Sequence, residues 1–412
     1  MNTLHAHADP KLDCPFTHHM VLVTETWPPE INGVAMTLQR LIHGMLAKGW
    51  KVQVVRPRQK SDGRESDVHV EPQHGIRHVL VPGLPIPGYN GLRFGMPMLV
   101  KLRDQWKKNR PDVVHIATEG PLGWAALKVA KNLSIPVTSS FHTNFHSYCK
   151  YYRMGWLRGM VMRHLRLFHN QSTLTMVPNA ILSDMLLEEN YRNVVVLGRG
   201  VDSGLFSAHR RSVALRAEWG IEDEGLAVIY VGRMAAEKNL HVVAKAFTAI
   251  QQNNPKARMV WVGDGPALKK LLKKHPDHIF CGAQLGESLA EHYASGDLFL
   301  FPSMTETFGN VVTEAMASGL AVIAYDYAAA EIFIKHQQNG LIVPFGDQTG
   351  FIQAAIDLAN DRPQLKKLGQ SAHFAVEDYS WDEIFNHFDG YLKHAVAQKS
   401  AMEPSELIVE EA

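Results

Sequence analysis

The stretch Phe299–Gly319, FLFPSMTETFGNVVTEAMASG, reads as a strand, a polar loop and a helix in immediate succession. The apolar run ends at Phe301-Pro302, and Gly309-Asn310 opens a helix that closes at Ser318-Gly319. Glu306 lies before the helix and Glu314 sits inside it, over a turn from its start. The first backbone N–H groups of a helix lack internal partners, and the helix dipole favours negative charge there. Gly309, Asn310, Val311 and Val312 are therefore expected to offer N–H groups suited to an anion such as a diphosphate. Glu306 beside them can accept hydrogen bonds from sugar hydroxyls, and the Glu314 carboxylate can accept two from a vicinal diol such as a ribose. On spacing alone, the same residues also fit two solvated carboxylates on a helix with an ordinary start.

The same strand–helix unit recurs in both directions along the chain. Upstream of Gly198, strands are expected at His19–Thr24, Lys51–Arg56, Gly75–Val81, Asp112–Ile116, Ile135–Phe141, Thr173–Val177 and Asn193–Leu197. Between the first two, Val34, Leu38, Leu41, Ile42 and Met45 recur at helical spacing. Gly198–Phe206, GRGVDSGLF, is Gly-bearing, polar and aperiodic, and reads as a linker. The pattern then restarts, with strands at Leu226–Val231, Ala257–Val262, Ile279–Cys281, Leu298–Phe301, Leu320–Tyr325 and Gly340–Val343 and helices between them. This alternation implies βαβ units, parallel sheets and an α/β class. With 412 residues, two domains of roughly 200 residues each are the natural division. The expected organisation is a loose segment 1–18, a first domain over 19–200, a second over 201–380, an amphipathic helix over 381–398 and an acidic tail over 399–412. In open α/β sheets ligands bind outside the carboxyl ends of the strands, so the expected site is a cleft between the two domains.

Composition narrows the function classes. The apolar fraction is 46% and the charged fraction 20%, which suits folded cores, and a net charge of +1 argues against a nucleic-acid binder held by global electrostatics. Cys14, Cys149 and Cys281 are widely separated and form no CxxC pair, so no disulfide framework is expected. The polar, His-bearing segment Met1–Thr17 does not read as a secretory signal, and no segment supplies the ~20 apolar residues of a membrane span. A cytoplasmic protein is expected.

In Ile229–Asn239, IYVGRMAAEKN, a strand runs straight into a loop bearing Arg233 and Lys238. Both cations can stabilise the charge that develops on a departing pyrophosphate. The chain holds no Asp-x-Asp pair placed for a metal, so cationic side chains take that role and no metal or cofactor is expected. Taken alone, an exposed Arg and Lys would also explain this loop. Gly263-Asp264-Gly265-Pro266 follows another strand but lacks the third glycine of a dinucleotide fingerprint, so a hydride-transferring dehydrogenase fits poorly.

These segments together resemble the retaining glycosyltransferases of family four, which share the GT-B architecture of two Rossmann-like domains facing across a cleft with a C-terminal helix crossing back to the first domain. The resemblance covers about residues 19–398. VGRMAAEKNL, WVGDGPALKKL, FPSMTETFGNVVTEAMASG and GLIVPFGD stand in family order. Glu306 and Glu314, eight apart, match the family's acidic pair. The resemblance implies that Glu306 touches the donor sugar, Glu314 the ribose, and Arg233 and Lys238 the donor phosphates, with Phe308, Gly309, Asn310 and Val311 completing the donor site. It makes the GDG loop mostly structural. Trp27–Val34, WPPEINGV, matches a family loop close to the donor phosphates. Here Asn32-Gly33 stands where many members have two glycines, and Asn is a residue that adopts the left-handed conformation more readily than most. His142, in FHTNFHSY, matches a family histidine beside the donor sugar, with Glu119 and Tyr148 on the acceptor side.

The HTNF-type motif is closest to mannosyltransferases and glycolipid glycosyltransferases, which implies GDP-mannose as donor, with a UDP-hexose as the alternative. The family also implies front-face retention, in which the leaving phosphate itself helps deprotonate the acceptor. A GT-B epimerase, a phosphorylase or a non-catalytic nucleotide-sugar sensor are the competing readings. No Asp or Glu occurs between Glu119 and Asp184, a window holding Lys150, Arg153, Arg158, Arg163 and Arg166 among apolar residues. Residues 150–169 therefore read either as a basic amphipathic helix for an anionic membrane surface, on the inner face of the plasma membrane, or as a core-packed helix with a basic outer face. The first reading points to a lipid-linked acceptor.

Overall fold

A computed structural model describes residues 16–30, 32–63, 66–71, 75–85, 93–142, 158–222 and 225–402. The strands are β1 (His18–Val23), β2 (Trp50–Pro57), β3 (Val68–Val70), β4 (Arg77–Val81), β5 (Gly83–Pro85), β6 (Arg93–Gly95), β7 (Val113–Ile116), β8 (Val137–Ser140), β9 (Leu174–Val177), β10 (Val194–Val196), β11 (Ala227–Val231), β12 (Arg258–Val262), β13 (Ile279–Phe280), β14 (Leu298–Phe301), β15 (Ala321–Tyr325) and β16 (Leu341–Val343). They form an eight-stranded sheet in the order β10-β9-β8-β7-β1-β2-β4-β3, a six-stranded sheet in the order β13-β12-β11-β14-β15-β16, and a two-stranded β5-β6 ribbon.

The chain divides into two compact units. One holds the described residues up to Ser140, Phe168–Thr175 and the described residues from Phe388; the other holds Phe141–Leu167 and Met176–His387. In the second unit, β11 and β15 are buried along their whole length, as expected of parallel strands covered on both faces. The helix Leu240–Asn253 turns Val243, Ala246, Phe247 and Ile250 inward at helical spacing. It packs against the helix Gln348–Asn360, whose buried residues include Phe351, Ala355 and Leu358. The order of the six-stranded sheet is the doubly wound 3-2-1-4-5-6 arrangement, which reverses direction between its first and fourth strands. That switch point lies between β11 and β14, which pair in parallel through Val228↔Leu298 and Ile229↔Phe299.

In the first unit the reversal falls between β1 and β7, which pair from Met20↔Val113 to Val23↔Ile116. The helix Trp381–Met402 contributes Asp389, which accepts a 2.7 Å hydrogen bond from Trp50 Nε1, and Phe388, which meets His115 edge-on.

The expected strands are found with local differences. Antiparallel β3, which the alternation pattern did not suggest, pairs with β4, and β4 itself begins at Arg77 rather than Gly75. The Gly198–Phe206 segment is more than a spacer, because Val201 bridges Ser380 and its N–H donates to Tyr379 O at 2.8 Å.

The GDG loop has a geometric function. Met234 N–H donates to Asp264 O and Ala267 N–H donates to Met234 O, both at 2.9 Å, so the loop after β12 is laced to the loop after β11. A Cβ at Gly263 would lie 2.0 Å from Gly232 O, and one at Gly265 would lie 2.4 Å from Met234 O. The glycines permit one backbone to lie against another, and so hold the segment that carries Arg233. Gly265→Ala is expected to cost more than about 1 kcal/mol, since it adds a backbone clash to a positive φ. Urea unfolding of the two proteins measures this, and an unchanged midpoint would show that the loops separate freely.

Candidate active site

Residues 68 apart in sequence meet at the β11/β14 switch point. Arg233 follows β11, and Lys238 closes the short 3-10 turn Ala236–Lys238. Lys238 Nζ donates to Glu306 Oε1 and, at 3.2 Å, to Thr305 O. Glu306 Oε1 also accepts from Ser303 Oγ at 2.7 Å, and its main-chain carbonyl accepts from Tyr327 Oη at 2.9 Å. The Lys238 and Glu306 side chains are 15% and 16% exposed, so the pair is largely withdrawn from solvent and still reachable. Arg233 Nη2 stands 3.8 Å from the buried Glu237 carboxylate while its own side chain stays partly exposed. Met304 N–H donates to Glu237 O at 3.0 Å, joining the two loops through their backbones.

The helix after this loop is Asn310–Ala317, and Gly309 takes the left-handed conformation at its N-cap, with φ 93°. Gly309, Asn310 and Val311 are half-buried. The N–H of Val312 is not among the available donors, because it bonds Gly309 O at 3.0 Å. Phe308 is buried in the core, edge-on to Phe333, and holds the turn from beneath. Glu314 Oε2 accepts from Tyr293 Oη at 3.0 Å. Tyr293 is fully buried; burial first, then the nearby Glu314 charge, raise its phenol pKa well above the ordinary value. Its proton therefore stays in place to orient Glu314.

His142 lies in the same unit. Its main-chain carbonyl accepts a 2.6 Å bond from Thr307 Oγ1, which places it next to the Glu306 loop. Its ring Nδ1 lies 3.0 Å from Arg199 Nη2. Tyr148 and the expected membrane-facing residues 150–157 lie outside the described residues. In the helix Arg158–His169, Met162, Leu165 and Phe168 are buried, whereas Met160 and Leu167 are exposed beside Arg163.

In the first unit, Asn32 is not left-handed. It is extended (φ −151°, ψ 156°) and caps the helix Gly33–Ala47, its Oδ1 accepting from Ala35 N at 2.9 Å. Asn32 Nδ2 also donates to Thr26 Oγ1 at 2.7 Å, and a capping side chain makes a left-handed turn unnecessary. A Cβ on Gly33 would meet nothing within 4 Å. Glu119, after β7, is buried and bonds His169 Nε2 at 3.1 Å; His169 Nδ1 in turn bonds Ser139 Oγ at 2.9 Å.

The sequence reading did not single out Arg199, Tyr293, Ser303, Thr307 or Glu25. Glu25 follows β1 across the switch point from Glu119. It accepts from Gly95 N at 3.3 Å and lies against Gly120, the N-cap of the helix Pro121–Asn132.

Two α/β units, each with a mainly parallel sheet that reverses at a switch point, make up the GT-B fold. Sucrose-phosphate synthase from Thermosynechococcus elongatus shares this fold with a TM-score of 0.73, covering 92% of this chain and all of that one at 18% identity. The description "Glycosyltransferase Family 4" matches residues 31–205, and "Glycosyl transferases group 1" matches residues 225–361. A GDP-mannose-dependent alpha-mannosyltransferase from Corynebacterium glutamicum is 30% identical over 365 residues, 89% of this chain and 86% of that protein. Alpha-monoglucosyldiacylglycerol synthase from Streptococcus pneumoniae is 28% identical, over 74% of this chain and 70% of that protein. The chain belongs to glycosyltransferase family 4, and it is a hexosyltransferase. Among the described residues, no helix is long and apolar enough to cross a membrane.

Burial, and secondarily the nearby Glu119 charge, push the Glu25 carboxyl up to about 7 against the downward pull of the Gly95 and Leu122 amides. The folded protein thus keeps a proton that the unfolded chain releases from pH ~4.3 upward. The contribution of this one group to stability is expected to fall as pH rises from ~4.5 through ~7, by about 3 kcal/mol in total, against the opposite contributions of His78 and His278, whose pKa values burial lowers to about 3 and about 4. Glu25→Gln should abolish that slope and be the more stable protein at pH ~8. Denaturant melts across this range measure it; parallel profiles for the two proteins would show that Glu25 does not titrate there.

Proposed function

We propose that this enzyme transfers a mannosyl group from GDP-mannose to a glycolipid or saccharide acceptor, with retention at the anomeric carbon. The observation that carries the reading is the Lys238–Glu306 pair at the β11/β14 switch point, beside the half-buried helix start Gly309–Val311. In the structure the two charges bond each other. A diphosphate arriving at the helix start offers Lys238 a stronger anionic partner, and Glu306 is then released to accept from sugar hydroxyls. Arg233 joins Lys238 on the phosphates, and Glu314, aimed by Tyr293, takes the ribose diol.

In the front-face route the bond between the anomeric carbon and the phosphate oxygen breaks. The acceptor oxygen bonds to the same face, and its proton passes to the departing phosphate oxygen. Arg233, Lys238 and the helix start stabilise the leaving charge, and the remaining side chains position the sugar. The proposed metal-independence rests on those two cations. The mannosyl choice is supported by the His142 motif and by similarity to GDP-mannose-dependent relatives. A glycolipid acceptor at the inner face of the plasma membrane is supported by similarity to a glucosyldiacylglycerol synthase and by exposed Met160 and Leu167 beside Arg163.

Turnover of a nucleotide-sugar panel tests the donor: GDP-mannose should be consumed fastest, and a preference for a UDP-hexose would overturn that choice. Lys238→Ala is expected to lower kcat/KM by about 10²–10³ while the fold persists. Glu314→Gln and Tyr293→Phe should each weaken GDP binding by about tenfold, read by calorimetry. Unchanged constants in these variants would remove the donor site from this location. Flotation with anionic vesicles should carry the protein upward, and its absence would exclude the membrane-surface reading.

A further inference from the structure

We propose that Arg199 is a positioning residue that fixes the His142 imidazole as its Nε2–H tautomer, so that this ring presents a hydrogen-bond donor and no base. Arg199 lies in the Gly198–Phe206 segment, is 7% exposed, and pairs with no carboxylate among the described residues. Its Nη1 donates to Leu197 O and Gly198 O, both at 3.0 Å, and its Nη2 stands 3.0 Å from His142 Nδ1. A planar guanidinium anchored on two carbonyls has little freedom left, so its third bond is aimed by the other two. Burial alone lowers its pKa to about 10, which leaves it charged near neutrality.

A guanidinium has five donors and no acceptor. At 3.0 Å, His142 Nδ1 must therefore be the acceptor and carry no proton, and the one proton of a neutral imidazole then sits on Nε2. A base at Nε2 would require the proton on Nδ1, and two N–H groups would then face each other. Protonating both nitrogens would set a second cation against a buried first one. The other end of His142 is equally fixed, because Thr307 Oγ1 holds its carbonyl beside the Glu306 loop.

The tautomer follows from the donor inventory. What the ring donates to rests on the proposed function, in which Nε2–H meets a hydroxyl oxygen of the donor sugar. The acceptor's proton must then leave by another route, as it does when the departing phosphate takes it. Arg199 acts only through His142 and reaches no substrate atom.

Histidine ¹⁵N spectra of the wild-type protein, with His142→Asn identifying the signal, should show Nδ1 unprotonated and Nε2 protonated at neutral pH. Arg199→Met should give a mixture of tautomers. In kinetics with the preferred nucleotide sugar, Arg199→Met and His142→Asn should each lower kcat about ten- to a hundredfold. The double variant should be no slower than His142→Asn alone, because the two residues act as one unit. Arg199→Lys, with a thermal melt confirming its fold, should recover part of the loss. A wild-type ring protonated on Nδ1, an unchanged tautomer in Arg199→Met, or losses that multiply in the double variant would overturn the proposal. The locked tautomer in a protein that does not consume GDP-mannose would instead overturn the proposed function and leave the tautomer assignment standing.

Discussion

The ion pair of Lys238 with Glu306 depends on a single topological fact, the parallel pairing of β11 with β14. Two loops far apart in sequence leave the sheet at the same edge because β11 and β14 run parallel, and the strand order reverses between them. Each loop alone has a charge that exposed residues commonly carry. Brought together and mostly withdrawn from water, the charges attract more strongly than they would in bulk solvent, and their desolvation is partly offset by Ser303 Oγ and Thr305 O. Together with the Met304 N–H bond to Glu237 O, the pair joins the two loops.

The scaffold around the pair is built largely from backbone. The GDG glycines let one loop lie on another and fix the path of Gly232–Met234. Gly309 turns the chain in a left-handed conformation so that the helix begins beside Glu306. Buried hydroxyls then set individual side chains: Tyr293 aims Glu314, and Thr307 anchors His142. Positioning is thus distributed over groups that never leave the protein, which suits chemistry depending on placement and charge rather than on a nucleophile.

Much of this was legible in the sequence, for local reasons. Strand and helix periods do not depend on what they pack against, so the βαβ alternation and the helix opening at Gly309-Asn310 could be read directly. Glu306 and Glu314 stand out in the sequence by their position relative to that helix start. What escaped depends on tertiary approach. Arg199 stands in a segment that reads as a linker, and nothing in its spacing tells of a histidine 57 residues away. Tyr293 looks like any apolar helix residue until the fold sets its hydroxyl against Glu314. Asn32 tolerates left-handed backbone, but its competing tendency to cap a helix prevails. The amide of Val312 looks available from the sequence, which does not show that the first turn closes on Gly309 O.

The most direct test of the account is a crystal structure with GDP-mannose bound. The account predicts the diphosphate against the Gly309–Val311 amides, Lys238 Nζ moved from Glu306 onto a phosphate oxygen, and Glu314 bonded to the ribose. A nucleotide found at another strand edge, or bound here with Lys238 still closed on Glu306, would contradict it.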